Sequence, residues 1–288
     1  MITELSSSEF YKIKHLTDDC RNIEAKAVAS GVNPGRIYVD DADDIKAALI
    51  WIQGQSGYQL IGDAQSEAFR RELRLYMETY VRPEWAALQI SAIEIGAADD
   101  RWEDVIQHMA GSSEINCDVQ HVFMLNPMHS IAGSDDPKPA ARMKLHADGE
   151  TRVIRIDEAL FKDSRLNHLS FVTDKINSFW TTVDAFLEHG LGCVVVHDED
   201  IVSVCLSAFV EGSTHAVDIE TLEGYRKQNY AALAAQAYME QCNQAGIHPY
   251  WDCSPDNTGS IRLAQNIGLS LDFNYLVYWY TISSSVSS

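Results

Sequence analysis

The residues of this chain that could do chemistry gather most densely in one stretch, Tyr225-Arg-Lys-Gln-Asn-Tyr-Ala231, between a β-patterned run ending at Thr221 and a helix-patterned run that follows. A helix start leaves unpaired N–H groups and the positive end of the backbone dipole, so a helix opening directly off a strand offers an anion a binding place. Arg226 and Lys227 lie at that start, where basic residues work slightly against the dipole. The chain as a whole carries 42 Asp and Glu against 22 Lys and Arg, a formal net charge of −20, so a bound anion accounts for two cations there better than a solvated first turn does. Elsewhere the reactive side chains are scattered. The six cysteines, Cys20, Cys117, Cys193, Cys205, Cys242 and Cys253, form no CxxC pair and read as free thiols in a reducing compartment. The ten histidines show no HExxH or paired Cys/His spacing, so no metal is expected. Cys253 follows Tyr250-Trp251-Asp252 with no histidine partner in view and reads as a buried thiol rather than a nucleophile.

The elements that must position the loop are legible around it. Arg152 to Ile156 alternates as a strand, and Phe171 to His189 reads as one amphipathic helix with Val172, Ile176, Phe179, Trp180, Val183 and Phe186 on its apolar face, stopped by Gly190 and Gly192. Two apolar runs between Gly192 and Val210, parted by His197-Asp-Glu-Asp200, predict a hairpin. A third strand, His215 to Thr221, leads into the loop, and a helix from Tyr225 to Cys242 follows, capped by Gly246. A short strand at Pro249–Cys253, a helix from Asn257 to Ile267 ended by Gly268, and an apolar strand from Tyr275 to Ile282 complete the series.

The length of 288 residues favours two domains. The stretch Ser130–Glu150, rich in Gly, Pro, Ser, Asp and Lys without an apolar period, reads as the linker, which places domains at 1–129 and 151–288. The first half repeats the second in order. Arg36–Gly54 has the same strand, acidic turn, strand pattern, with Asp41–Asp44 in the place of His197–Asp200. A strand at Tyr58–Ile61, a helix at Ser66–Val81, a strand at Leu88–Ile95 and a helix near Arg101–Met109 follow. Its counterpart of the loop, Gly62-Asp-Ala-Gln-Ser-Glu-Ala-Phe69, is short and acidic.

The loop at 225–231 resembles the pyrophosphate-binding loop of the GNAT superfamily of N-acetyltransferases, Arg/Gln-x-x-Gly-x-Gly/Ala between a strand and a helix. Arg226 takes the first position, Ala231 the last, and Asn229 stands where glycine is usual; Asn is the residue after glycine most tolerant of a left-handed backbone. Asp256-Asn-Thr-Gly-Ser-Ile-Arg-Leu-Ala-Gln-Asn-Ile-Gly-Leu269 resembles the family's later helix, with Asn257 and Ser260 at its CoA-contacting positions and Ala264 where many members carry the tyrosine that protonates the departing thiolate. The phrases IETLEGYRKQNYAALAAQAYMEQC and YWDCSPDNTGSIRLAQNIGL are most similar to the branch that includes the zwittermicin A resistance acetyltransferase. The implied fold class is α/β (α+β): a GNAT-like mixed twisted sheet with flanking helices in 151–288, preceded by an α/β domain that reads as a degenerate GNAT-like repeat and should not bind CoA.

The resemblance implies direct attack of a substrate amine on the thioester of acetyl-CoA, taken as co-substrate. Ile219, Thr221, Arg226, Lys227, Gln228, Asn229, Tyr230, Ala231, Asn257 and Ser260 would bind it, and a backbone N–H near Thr221 would hold the thioester oxygen. Members place a carboxylate or histidine on the third strand to accept the amine proton. Here that strand offers His215, Asp218 and Glu220, of which Glu220 is favoured over His215 because a partly buried carboxylate gains basicity from desolvation. The net charge argues against nucleic acid and favours a small cationic amine as acceptor. No signal peptide or apolar run of membrane length is present, so a cytoplasmic protein without a membrane partner is expected, and a homodimer is compatible with the sequence. Two other functions fit the same fold: an aminoacyl transferase built from tandem GNAT domains, and a CoA-binding regulatory protein on a decayed acetyltransferase, to which Asn229 and Ala264 point.

Overall fold

The computed structural model describes residues 1–55, 57–125 and 150–282. Apart from Glu150, the linker reading of 130–150 lies outside the described residues. The chain divides into two compact units, one of Met1–Gln120 with the residues from Asn274 onward, the other of His121–Phe273.

The first unit begins with a short strand β1 (Thr3–Leu5) and the helices α1 (Lys14–Asp18) and α2 (Ile23–Ala29). Strands β2 (Gly35–Val39), β3 (Ala47–Ile52) and β4 (Gly57–Gly62) follow as an antiparallel meander that β1 extends at its edge. After α3 (Glu67–Tyr76) and α4 (Arg82–Ala87), strand β5 (Ala92–Ala97) runs parallel to β4, as a strand returning through a helical crossover must. Helix α5 (Glu103–Ala110) and strand β6 (Asn116–Leu125) come next. The helix expected over 66–81 gives way at Tyr76 to a π turn over Met77–Val81, and the strand expected from Leu88 begins at Ala92. Leu49, Leu60, Phe69, Trp102 and Ile106 lie in the core of this unit, together with Tyr278 and Tyr280 from the far end of the chain.

The second unit has the same order. Strand β7 (Thr151–Arg155) leads to α6 (Leu169–Phe179) and α7 (Val183–His189). These two replace the single helix expected over 171–189. Trp180 is extended and donates its indole N–H to the Ser207 carbonyl at 2.9 Å, and Thr182 starts a new helix by accepting the Ala185 N–H. The apolar period continues across the break, where the Trp180 and Phe186 rings pack edge to face with centroids 5.8 Å apart.

Strands β8 (Gly192–His197), β9 (Asp200–Glu211) and β10 (Thr214–Thr221) form an antiparallel meander with β7 at its edge. β8 and β9 are buried along almost their whole length, which fits their unbroken Val, Ile and Cys runs. Helix α8 (Tyr230–Ala245) packs on β8, β9 and β10, while α6 packs on β9. Strand β11 (His248–Cys253) runs parallel to β10 and antiparallel to residues 121–123 of β6. Helix α9 (Thr258–Asn266) leads to β12 (Leu269–Thr281), which starts six residues earlier than its apolar run suggested and whose later part pairs with β5, Leu276 opposite Ala97 and Thr281 opposite Ala92.

Candidate active site

The site is built by a disagreement between two ladders on β10. Its pairing with β9 runs the whole strand, from Thr214 opposite Glu211 to Thr221 opposite Ser203, with a register shift between Ala216 and Val217. Its parallel pairing with β11 stops at Ala216 opposite Tyr250. Beyond Ala216 the two strands splay, and among the described residues the side of Val217–Thr221 turned from β9 has no ladder.

The splayed strand passes straight into the loop. The Leu222 N–H still reaches back to the Val202 carbonyl at 3.0 Å, a short 3-10 turn over Glu223–Tyr225 follows, and α8 begins at Tyr230, five residues later than its apolar pattern suggested. Lys227 and Asn229 both take positive φ, +65° and +70°. Asn229, at the position where the family pattern has glycine, is thus left-handed as its residue type allows, and it is the cap of a sixteen-residue helix. Arg226 and Lys227 are exposed beside it, and Arg226 donates from Nε to the Thr221 carbonyl at 3.2 Å, which ties the loop to the end of β10. Gln228 and Ala231 are half-buried. Tyr225 donates its hydroxyl to Asp200 at 2.7 Å, and Asn167 donates to the other oxygen of Asp200 at 2.8 Å. The Tyr225 ring packs edge to face against both His197 and Tyr230, and the His197 and Tyr230 rings are tilted against each other.

The side chains of β10 sort cleanly by face. Val217 and Ile219 pack into the core under α8 with Tyr230, Ala234 and Tyr238. His215 goes the same way. It is 3% exposed, its Nδ1 lies 2.7 Å from the Ser207 hydroxyl, and that hydroxyl lies 2.9 Å from the hydroxyl of Tyr238. Burial pushes the imidazole down to about 4, so it is neutral near pH 7. Considered beside Glu220 as a base, His215 is instead a buried member of a Ser–Tyr–His network on the far face.

Asp218 and Glu220 face α6, where the Lys175 ammonium lies 3.2 Å from Asp218 and 2.7 Å from Glu220. Burial raises the Asp218 carboxyl above its ordinary value, Lys175 opposing. Burial works against the ammonium too, yet the two carboxylates outweigh it and hold Lys175 above its usual range. Lys175 was not singled out from the sequence. The signal was the one lysine on the polar face of a helix adjoining the candidate strand. Thr221 exchanges a hydrogen bond with Ser203 at 2.8 Å.

In α9, Asn257 caps the helix by accepting the Ser260 N–H at 3.0 Å, and the Ser260 hydroxyl accepts the Trp251 indole N–H at 2.8 Å. Both residues predicted to contact CoA therefore have local partners, Asn257 within its own helix and Ser260 on Trp251 of β11. Ala264 is fully buried in a cluster with Ala235, Trp251 and Leu269, so the position of the family tyrosine is filled by packing.

The first unit has its own splay. β4 and β5 part after Gln59 opposite Gly96, and a cleft of about 590 Å³ opens there, lined among others by His15, Cys20, Lys46, Asp63 and Trp102. The Gln59 side chain lies directly over Gly96, where any Cβ would collide with it. At the start of α3, Asp63 accepts the Gln65 N–H, Ser66 accepts the Phe69 N–H, and Ser66 donates to the buried Asp40 at 2.7 Å. Carboxylates and a capping serine thus stand where the second unit presents a left-handed cap and two cations.

Residues 14–278 match the family model described as GNAT acetyltransferase. The chain is 27% identical over 282 residues to the uncharacterized N-acetyltransferase YdfB of Bacillus subtilis (strain 168), covering 97% of this chain and 98% of that one. Among solved structures it is similar to a GCN5-related N-acetyltransferase-like protein of Streptococcus suis 89/1591, with TM-score 0.62, 20% identity and coverage of 95% and 98%. It is also similar to a tandem GNAT protein from the clavulanic acid biosynthesis pathway, with TM-score 0.59, 10% identity and 99% of both chains covered. These two likenesses bear on the fold, including the repeat of element order. The chain belongs to the GNAT acetyltransferase family and is an N-acetyltransferase.

Proposed function

We propose that the second unit transfers the acetyl group of acetyl-CoA to the amine of a small cationic molecule, with Glu220 as the base. The observation that carries this reading is the splay of β10 from β11 beyond Ala216, running directly into a helix start with a left-handed cap. A pantetheine arm needs main-chain groups without strand partners, and β10 has them at Val217–Thr221. A diphosphate needs N–H groups and positive charge, and the turn from Arg226 to Ala231 brings both. Main-chain groups of Ile219 and Thr221 would receive the thioester, one N–H polarising its oxygen as charge develops there.

The acceptor nitrogen attacks the thioester carbon, Glu220 takes the amine proton, and the C–S bond breaks to release CoA as thiolate, which then gains a proton from solvent. Ala264 supplies none. Asp218 and Glu220 with a single Lys175 leave one net negative charge on the acceptor face, in keeping with a cationic substrate and with the overall charge of −20. Asn257 and Ser260 contribute through the end of α9, and His215 serves packing. The first unit, with Gln59 over its splay and carboxylates at its helix start, shapes or supports the protein without binding CoA.

Calorimetry with acetyl-CoA, followed by thiol release over a panel of amines, tests the reading. Binding and release with at least one amine are expected; a folded chain that binds no acetyl-CoA would falsify it. Glu220→Gln should lower turnover by roughly 10²–10⁴-fold while leaving the calorimetric affinity for acetyl-CoA in place. An unchanged rate removes Glu220 from the role.

A further inference from the structure

We infer that Lys175 is a positioning residue that holds the Asp218–Glu220 pair in its charged form near neutral pH. The consequence for catalysis, that the amine proton can then be taken, rests on the function proposed above; the electrostatic claim does not.

The geometry is specific. Two carboxylates two residues apart on one face of β10 share one ammonium, at 3.2 and 2.7 Å, and the lysine side chain is only 20% exposed. Two like charges on one strand face, one of them largely removed from water, disfavour each other's charged form, and a cation that contacts both opposes this. Besides Lys175, α6 carries the acidic Asp174, and β11, paired with β10 as far as Ala216, carries His248, beside Thr214 at the other end of β10, and Asp252. On β10 itself the charged groups are Asp218 and Glu220. Across the ladder, β9 places Leu206 opposite Asp218 and Val204 opposite Glu220, neither of them charged. Its Cys205 thiol, on the α8 face, is kept neutral by burial, and His215 on that same face is also neutral. On α6 the Phe179 ring lies 6.0 Å from the ammonium and favours a cation there. Among the described residues, Lys175 is the counter-charge these elements present. Burial raises the Asp218 carboxyl and Lys175 opposes that rise, so deleting the ammonium removes the opposing contribution.

Carboxyl ¹³C NMR titration of the unliganded protein, with signals assigned through Asp218→Asn and Glu220→Gln, reads this without any assay. In Lys175→Met the titration of the pair should move up by roughly one to three pH units, and Lys175→Arg should restore it. Lys175→Gln serves as a second charge deletion should the Met variant fold poorly. Titration curves of the folded charge-deletion variants that overlay the parent overturn the inference. The acid limb of the rate profile should move up by the same amount with KM for acetyl-CoA unchanged. A pair that moves while the limb stays still upholds the role of Lys175 and discards Glu220 as the base.

Discussion

At Asn229 a substitution that weakens a sequence pattern proves consistent with the backbone the pattern demands. A left-handed residue is needed where β10 turns into α8, glycine meets it without cost, and asparagine meets it at φ +70°. The neighbouring residue choices follow similar logic, except where burial intervenes. His215 has the side chain expected of a base, but folding sets it beneath α8, bonded to Ser207, and its proton affinity falls with its hydration. That has a thermodynamic consequence. An ordinary histidine titrates at about 6.5 and His215 at about 4, so between those values the unfolded chain binds more protons and stability rises with pH. The contribution is complete above about pH 6.5 and is lost as pH falls toward 4, on the order of 3 kcal/mol at most. Urea unfolding of His215→Gln should show a shallower loss of stability between pH 7 and 4.5 than the parent. Parallel losses in the two proteins would mean that other groups govern the acid limb.

Elements decide what single residues cannot. The loop at 222–229 has few regular backbone bonds of its own, and its shape is carried by Tyr225 on Asp200, by Arg226 on Thr221 and by the edge-to-face contact of Tyr225 with His197. Asp200 opens β9 at the turn of the β8–β9 hairpin, so the turn read from the sequence only as an acidic connection also anchors the loop at 222–229. Asp200 is held below the usual carboxylate range by the Tyr225 hydroxyl first and by Asn167 next, which keeps it an acceptor. Tyr225→Phe is expected to weaken acetyl-CoA several-fold, the worth of one charge-assisted hydrogen bond used to order a loop, with little change in turnover at saturation. Calorimetry beside saturation kinetics checks this, and equal affinity in the variant would remove the anchor. The break between α6 and α7 belongs to the same scale. Periodicity runs through Trp180 undisturbed, but the indole needs the Ser207 carbonyl, and reaching it takes the backbone out of the helix.

For the whole molecule, the dominant fact is that each unit is completed by the strand that ends the other half of the chain. β5 is paired by residues of β12, and β11 by residues 121–123. Tyr278 and Tyr280 lie in the core of the first unit although they come last in sequence. Losing a large buried aromatic costs roughly 3–5 kcal/mol, against a typical domain stability of about 5–15 kcal/mol. Ending the chain at Phe273 is therefore expected to unfold the first unit, seen as loss of hydrogen-exchange protection in β2–β5. Retained protection there would show that the exchange of strands is not needed. Legible in the sequence were the turn between β10 and α8 with its left-handed Asn229, the β8–β9–β10 meander and the faint repeat in the first half, because these rest on local patterns: apolar alternation, turn residues and the tolerance of Asn for positive φ. Only the tertiary structure decided that Lys175 meets Asp218 and Glu220, that His215 is buried, and that the final strand pairs with β5. Which face a side chain occupies and which strand lies beside it depend on packing between residues far apart in the chain, and periodicity along one segment carries no record of that.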